Sequence, residues 1–384
     1  MPGILLFLVA FDPQVPFLPN GIGFTFLVAL FLFPIFFIGI QNKSFCDYFI
    51  RKFNGFYLLF SAALLFILIR LTVNGGDNFI FILSWFKAFF VFLACYFVFI
   101  IFYSKKSVSY FALNLLFVYL INGVVNFLWG SFPSVFEFLR IFQGEVISDS
   151  LGKNPYRNSF ISGSGYYSIG TAYGLIFLLL VYHLATVRPK SLIFSFGLSV
   201  SLIAGVFAAR TSLLAIIPAL IYLFKTRVVY SLLAAGFTVG IATSLWPLLE
   251  PYANWILSFF NAVEDASGSH LIKEMFFWPG EYVFLFGMGA VNDGAFVYTD
   301  SGYMQDILFG GIVFLLMKIS FLAVFTKLII KRHVYFCFSL IFATLLFHFK
   351  GLFFYNNAQG MAAFYFSFFY FLKLEYERRN GWNG

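Results

Sequence analysis

Apolar runs about twenty residues long follow one another along almost the whole chain, and few charges interrupt them. A hydrocarbon core about 30 Å thick takes roughly 20 residues of α-helix to cross, so each run is long enough to span a bilayer. Of 384 residues, 61% are hydrophobic and only 10% charged, too few charges to build a water-facing shell. The expected fold is all-α: a polytopic transmembrane bundle of about 11–12 spanning helices in one integral membrane domain, residues 1–384.

The spans fall at roughly 20–40, 53–71, 79–103, 108–130, 161–184, 191–209, 211–224, 228–247, 303–326, 334–349 and 357–372. Residues 1–11 are apolar but short, and Pro13, Pro16 and Pro19 stop them. They carry no basic stretch with a small-residue cleavage site, so a cleaved signal peptide is not expected.

Charge placement orients this bundle. Basic residues cluster at Lys43/Arg51/Lys52, Lys105/Lys106, Arg188/Lys190, Lys225/Arg227, Lys327/Lys331/Arg332 and Lys373/Arg378/Arg379, which is 15 of 24. The clusters occupy every second connection, and only Asp47, Glu375 and Glu377 of the 16 acids sit among them. By the positive-inside rule those connections and the C-terminus are cytoplasmic. The net charge of +8 then reflects anchoring beside anionic lipid, and nucleic acid is not an expected partner. Two long polar loops, about 131–160 and 248–302, lie on the external side and are where function is expected.

Cofactor motifs are missing. Cys46, Cys95 and Cys337 have no metal-ligand spacing, the four histidines lie far apart, and no phosphate-binding loop or zinc helix motif occurs. No cofactor and no metal are expected.

Charged and polar groups near the external face are the candidates for chemistry. Arg210, in Ala209-Arg210-Thr211-Ser212, sits where two apolar helices meet, on the external side and against the charge rule. Either it snorkels to lipid headgroups, or its planar fork of donors binds phosphate, helped by Thr211, Ser212 and the free amides of the next helix. Asp300 stands just before the helix at 303–326, as an N-cap or as a carboxylate base. Gly287-Met288-Gly289 reads as a flexible entry turn. Of the charges inside spans, Lys318 is expected to snorkel, Lys87 to pair with an acid such as Asp306, and Lys350, beside His348, to reach the outer face.

Gly287-Met-Gly289, then Thr299-Asp300-Ser-Gly-Tyr303, then Gly310-Gly311-Ile-Val-Phe-Leu-Leu together resemble the late region of O-antigen polymerases, the Wzy family. Ala209-Arg210-Thr-Ser-Leu-Leu-Ala215 resembles that family's mid-chain arginine motif, and Tyr156-Arg157 through Tyr166 the loop entering an earlier helix. The resemblance implies a metal-independent glycosyltransferase of the bacterial inner membrane with its active site facing the periplasm. It would polymerise undecaprenyl-diphosphate-linked oligosaccharides into O-antigen or a related surface polysaccharide. Membrane lipid, a chain-length regulator and a flippase are the partners it implies. Asp300 would be the base and Arg210 the diphosphate ligand. Arg157 would be a second cation, with Tyr303 and Lys350 as further substrate contacts. Where the family carries an arginine before its Leu-Phe-Gly-x-Gly stretch, this chain has Ser267-Gly-Ser-His270-Leu-Ile-Lys273, so His270 or Lys273 stands in. Arg157 and His270 are also consistent with ordinary hydrated loop residues.

Two other classes stay open. An O-antigen ligase would carry histidine where Asp300 stands. A secondary transporter or lipid-linked oligosaccharide flippase needs polar groups near the midplane, often on broken helices, and facing helices broken by glycine or proline are not evident in the sequence.

Overall fold

The computed structural model describes residues 2–15, 22–38, 43–73, 80–131, 166–187, 192–244, 275–289 and 299–380, together with Trp246 and Glu250. It is all-α, and among the described residues β-structure is limited to an isolated bridge between Gln14 and Gly23. The helices are α1 Pro2–Phe11, α2 Phe24–Phe37, α3 Lys43–Lys52, α4 Asn54–Val73, α5 Ile80–Val98, α6 Val108–Ser131 and α7 Tyr166–Val187. They continue with α8 Leu192–Ala208, α9 Leu213–Thr226, α10 Val228–Ser244, α11 Glu281–Phe286, α12 Gly302–Ile329, α13 Val334–Lys350 and α14 Ala358–Arg379. A π-turn at Phe99–Tyr103 extends α5.

Among the described residues, five stretches are long and apolar enough to cross a membrane: Asn54–Val73, Phe81–Tyr103, Val108–Val125, Tyr166–Val187 and Gly302–Ile329. Shorter apolar helices, such as α2, α8, α10 and α13, fall on the remaining expected spans. Two elements are additional to the expected ones. The stretch 43–52, read as a connection, is the amphipathic helix α3, with Phe45 and Phe49 buried and Lys43 and Arg51 exposed. The short helix α11 lies within the expected loop 248–302.

The chain divides into two compact units. The first holds residues 1–46, 90–256 and 358–384. Its centre is α7, in which every residue from Ile169 to Leu184 is buried; a helix apolar on all faces is stable only when surrounded. Gly170 and Gly174 let a neighbour approach closely. A Cβ on Gly170 would lie 2.5 Å from the Ala209 Cβ, and one on Gly174 would lie 3.0 Å from the Ser212 carbonyl oxygen. This is the small-xxx-small device by which helices pack where the hydrophobic effect is absent. The helix α14 is buried nearly throughout and meets α7 through His183 Nδ1 and the Tyr370 hydroxyl, 2.7 Å apart. Near its end, Glu377 accepts the Val108 N–H at 3.0 Å and so caps α6, while Lys373 donates to the Ser104 carbonyl at 2.5 Å.

The second unit holds residues 47–89 and 257–357. Aromatic rings dominate its packing: Phe60 lies on Trp85 with centroids 4.5 Å apart, and Phe81 stacks on Phe309 at 3.8 Å. Its distinguishing element is α12, which is broken at Gly311, where φ is +69°. A break frees carbonyls from the helical ladder, and in an apolar setting each needs a donor. The turn after α11 supplies two. Met288 N–H donates to the Leu308 carbonyl at 2.7 Å and Gly289 N–H to the Phe309 carbonyl at 2.9 Å. Gly287, at φ +70°, fits against the backbone of Gly310 and Gly311. The expected flexible turn is therefore a fixed part of the α12 break. Broken helices facing one another are not evident in the sequence, yet this span is discontinuous.

Gly311→Ala is expected to destabilise the protein by about 1–3 kcal/mol, the cost of a non-glycine residue in the left-handed region, with more from the new Cβ against the Leu285 carbonyl oxygen. A thermal unfolding midpoint unchanged from the parent would contradict this.

Candidate functional site

In the first unit the chain turns sharply between α8 and α9. Ala209 is extended, with φ −160°, and Arg210–Ser212 forms one 3-10 turn before α9 begins. The turn is seated on Gly170 and Gly174 of α7, with Ser212 fully buried and Arg210 half-buried. Two of the amides expected to be free are used inside the turn: Ser212 N–H donates to the Ala209 carbonyl and Leu213 N–H to the Arg210 carbonyl. The hydroxyls behave differently. Thr211 Oγ1 and Ser212 Oγ are both buried without a hydrogen-bond partner among the described residues. Buried polar atoms are rarely left unpaired, so the turn places two unsatisfied donors next to a guanidinium.

In the second unit α12 begins after Thr299-Asp300-Ser301. The cap position falls on Ser301, one residue after Asp300, and no side chain caps there. Thr299 organises the approach: its hydroxyl donates to the Met275 carbonyl and accepts the Ser301 N–H, and its carbonyl accepts from Gln305 Nε2. Asp300 is half-buried, its N–H faces Met275 Sδ at 3.4 Å, and its carboxylate makes no hydrogen bond among the described residues. Capping therefore does not occupy it. Tyr303 donates its hydroxyl to the Leu345 carbonyl at 3.0 Å and sets its ring edge-on to His348 at 4.8 Å. Lys350 is the last residue of α13 and is half-buried. Arg157, His270 and Lys273 lie outside the described residues.

The most tightly organised polar group in this unit is one the sequence did not point to. Asp306 is fully buried and holds Lys318 Nζ on Oδ1 at 2.5 Å and His348 Nε2 on Oδ2 at 2.9 Å. Lys318 is 2% exposed. It therefore does not snorkel, and Asp306 is taken by Lys318 and His348 rather than by Lys87. The α12 break makes the pair possible. In an unbroken helix the two Cα atoms would be about 18 Å apart and about 120° around the axis, beyond the combined reach of both side chains. Lys318 is further enclosed by the rings of Phe314, Tyr355 and Phe81, at 4.7, 5.4 and 5.9 Å. A narrow cavity with room for about one water runs beside it, lined among others by Ser84, Trp85, Tyr355 and Asn356.

His348 has a defined tautomer. Its Nδ1 accepts the Phe353 N–H at 3.3 Å, so the proton sits on Nε2 and is donated to Asp306. The cluster then carries one negative and one positive charge, which suits an apolar surrounding.

Chemically, the two units offer different things. The first presents an arginine with hydroxyl donors, suited to an anion. The second presents an unengaged carboxylate and, deeper, a charge-balanced cluster. Compared with protein families, with curated proteins and with solved structures, the chain matches none at a significant level.

Proposed function

We propose that this chain is a membrane glycosyltransferase that extends a glycan carried on a lipid diphosphate, of the O-antigen polymerase kind. The observation that carries the reading is the Arg210 turn: a guanidinium at the end of an apolar helix, beside two buried hydroxyls that lack partners among the described residues. The order of the glycine and aspartate motifs adds support. In the reaction the hydroxyl of one lipid-linked oligosaccharide attacks the anomeric carbon of another. The bond from that carbon to the diphosphate oxygen breaks, and the lipid diphosphate departs with the electron pair. Arg210 stabilises the charge that grows on the departing diphosphate. Asp300 takes the proton of the attacking hydroxyl. The reaction runs at the periplasmic face of the bacterial inner membrane, with a chain-length regulator and a flippase acting before or beside it.

Asp300→Asn retains shape but cannot accept a proton. In cells it is expected to reduce polymer by about 10²–10⁴-fold, the usual worth of a general base, with protein level unchanged. Polymer of normal amount and length would remove Asp300 from the mechanism. Orientation is tested separately: a reporter active only in the periplasm should be silent when fused after Asn380 and active within residues 251–274.

A second reading is favoured by a different observation. The broken helix α12, with Asp306, Lys318 and His348 buried beside the break, is the kind of element on which secondary transporters bind coupling ions. A carrier would move lipid-linked oligosaccharide across vesicles without lengthening it.

A further inference from the structure

The turn that follows α13, residues 351–357, is held in a conformation its sequence does not favour. Tyr355 lies at φ +69°, in the left-handed region, although it is an aromatic residue and not glycine. Such a backbone persists only when its surroundings over-determine it. Tyr355 is buried, its ring covers Lys318, and the Asn357 N–H closes on the Phe353 carbonyl at 3.3 Å. At the root of the turn, Phe353 N–H donates to His348 Nδ1. The histidine lone pair is thus one of the restraints on the strained turn, and its other nitrogen is committed to Asp306.

We propose that His348 is a proton-binding site, and that taking up a proton at Nδ1 releases the 351–357 turn and uncovers Lys318. The proton adds to the Nδ1 lone pair, and no bond other than the new N–H forms. The imidazolium is then a donor at both nitrogens. Nε2–H keeps Asp306, while Nδ1–H and the Phe353 N–H become two donors facing each other. Phe353 must move away, and the strain at Tyr355 favours that movement.

From α12 the groups that face the ring are Asp306, Tyr303 and, through Asp306, Lys318; from the turn it is the Phe354 ring, which does not titrate. From α5 the cavity is lined by Phe81, Ser84 and Trp85, which bring no titratable group. Burial and Lys318 oppose the imidazolium, while the Asp306 carboxylate, in direct contact at 2.9 Å, favours it. On the Lys318 side, Asn356 is exposed, accepts from Ser84 Oγ at 3.4 Å, and lines the cavity beside Lys318.

The turn is therefore closed while Nδ1 is unprotonated and opens when the ring takes up a proton. The test is amide hydrogen–deuterium exchange on the full-length protein in lipid nanodiscs, with intrinsic exchange rates corrected for pH. Between about pH 7.5 and about pH 4, a range that reaches below ordinary histidine titration, the 351–357 amides of the parent should lose about tenfold in protection, the worth of one hydrogen bond. Peptides from α7 should not change. His348→Asn places an acceptor oxygen near the position of Nδ1 but takes no proton, so its turn should stay protected at both pH values. Flat protection in the parent overturns the proposal, as does an unaltered pH response in His348→Asn. Should that variant fail to fold, hydrogen exchange at the imidazole C2 carbon of His348 in the parent decides. A titration coincident with turn opening supports the site, and a midpoint displaced from the opening, or none, overturns it.

Discussion

Replacing Lys318 with methionine is expected to lower stability by about 3–5 kcal/mol, because it strands the Asp306 carboxylate in an apolar interior. The carboxylate keeps His348, but a neutral imidazole supplies one donor and no charge. Asp306→Leu alone should cost a similar amount, leaving Lys318 charged among the rings of Phe81, Phe314 and Tyr355. The double variant, Lys318→Met with Asp306→Leu, should recover most of the loss, since an ion pair replaced by apolar groups of similar size is often neutral. Thermal unfolding of the purified proteins at matched lipid and detergent measures all three. A double variant as unstable as the sum of the singles would mean that the two residues act independently.

Arg210→Ala is expected to reduce polymerisation by about 10²–10³-fold, the usual cost of losing one positioned donor to developing negative charge. In the proposed reaction a diphosphate gains charge as the glycosidic bond breaks, so a guanidinium beside it would bind the transition state more tightly than the ground state. Arg210→Lys retains charge but loses the fork, and should fall between alanine and the parent. Thr211→Val and Ser212→Ala remove the adjoining hydroxyls. They should lower rate modestly and, by taking away unpaired buried polar atoms, leave stability equal or higher. Rates are compared with purified variants at matched protein levels. An Arg210→Ala protein that polymerises within a few-fold of the parent would assign the side chain to headgroup anchoring.

Much of this molecule was legible before folding. The spans were, because an apolar run of bilayer length has few alternatives: α4, α6 and α13 lie within two residues of where hydropathy put them, α7 within five, and α14 begins where expected but runs on to Arg379. The tight α8–α9 turn was visible from the near absence of polar spacer around Arg210. The Lys318–Asp306–His348 cluster was not. Reading 303–326 as one straight helix separates Asp306 from Lys318 by more than three turns, and only the Gly311 break brings them together. Gly310-Gly311 was a signal for that break, but two adjacent glycines in an apolar run also serve close helix packing. His348, 42 residues from Asp306, is joined to it by tertiary structure that no local pattern encodes. As a cap, Asp300 was misplaced by one position, because the helix begins at Gly302 and its cap position falls on Ser301.

Whether the chain makes glycosidic bonds is decided by the purified parent protein in vesicles, given lipid-diphosphate-linked oligosaccharide extracted from cells that lack the protein. A ladder of products spaced by one repeat unit, absent with Arg210→Ala, is the result predicted here. Oligosaccharide that crosses the vesicle membrane yet keeps its original length would contradict it and establish the chain as a carrier.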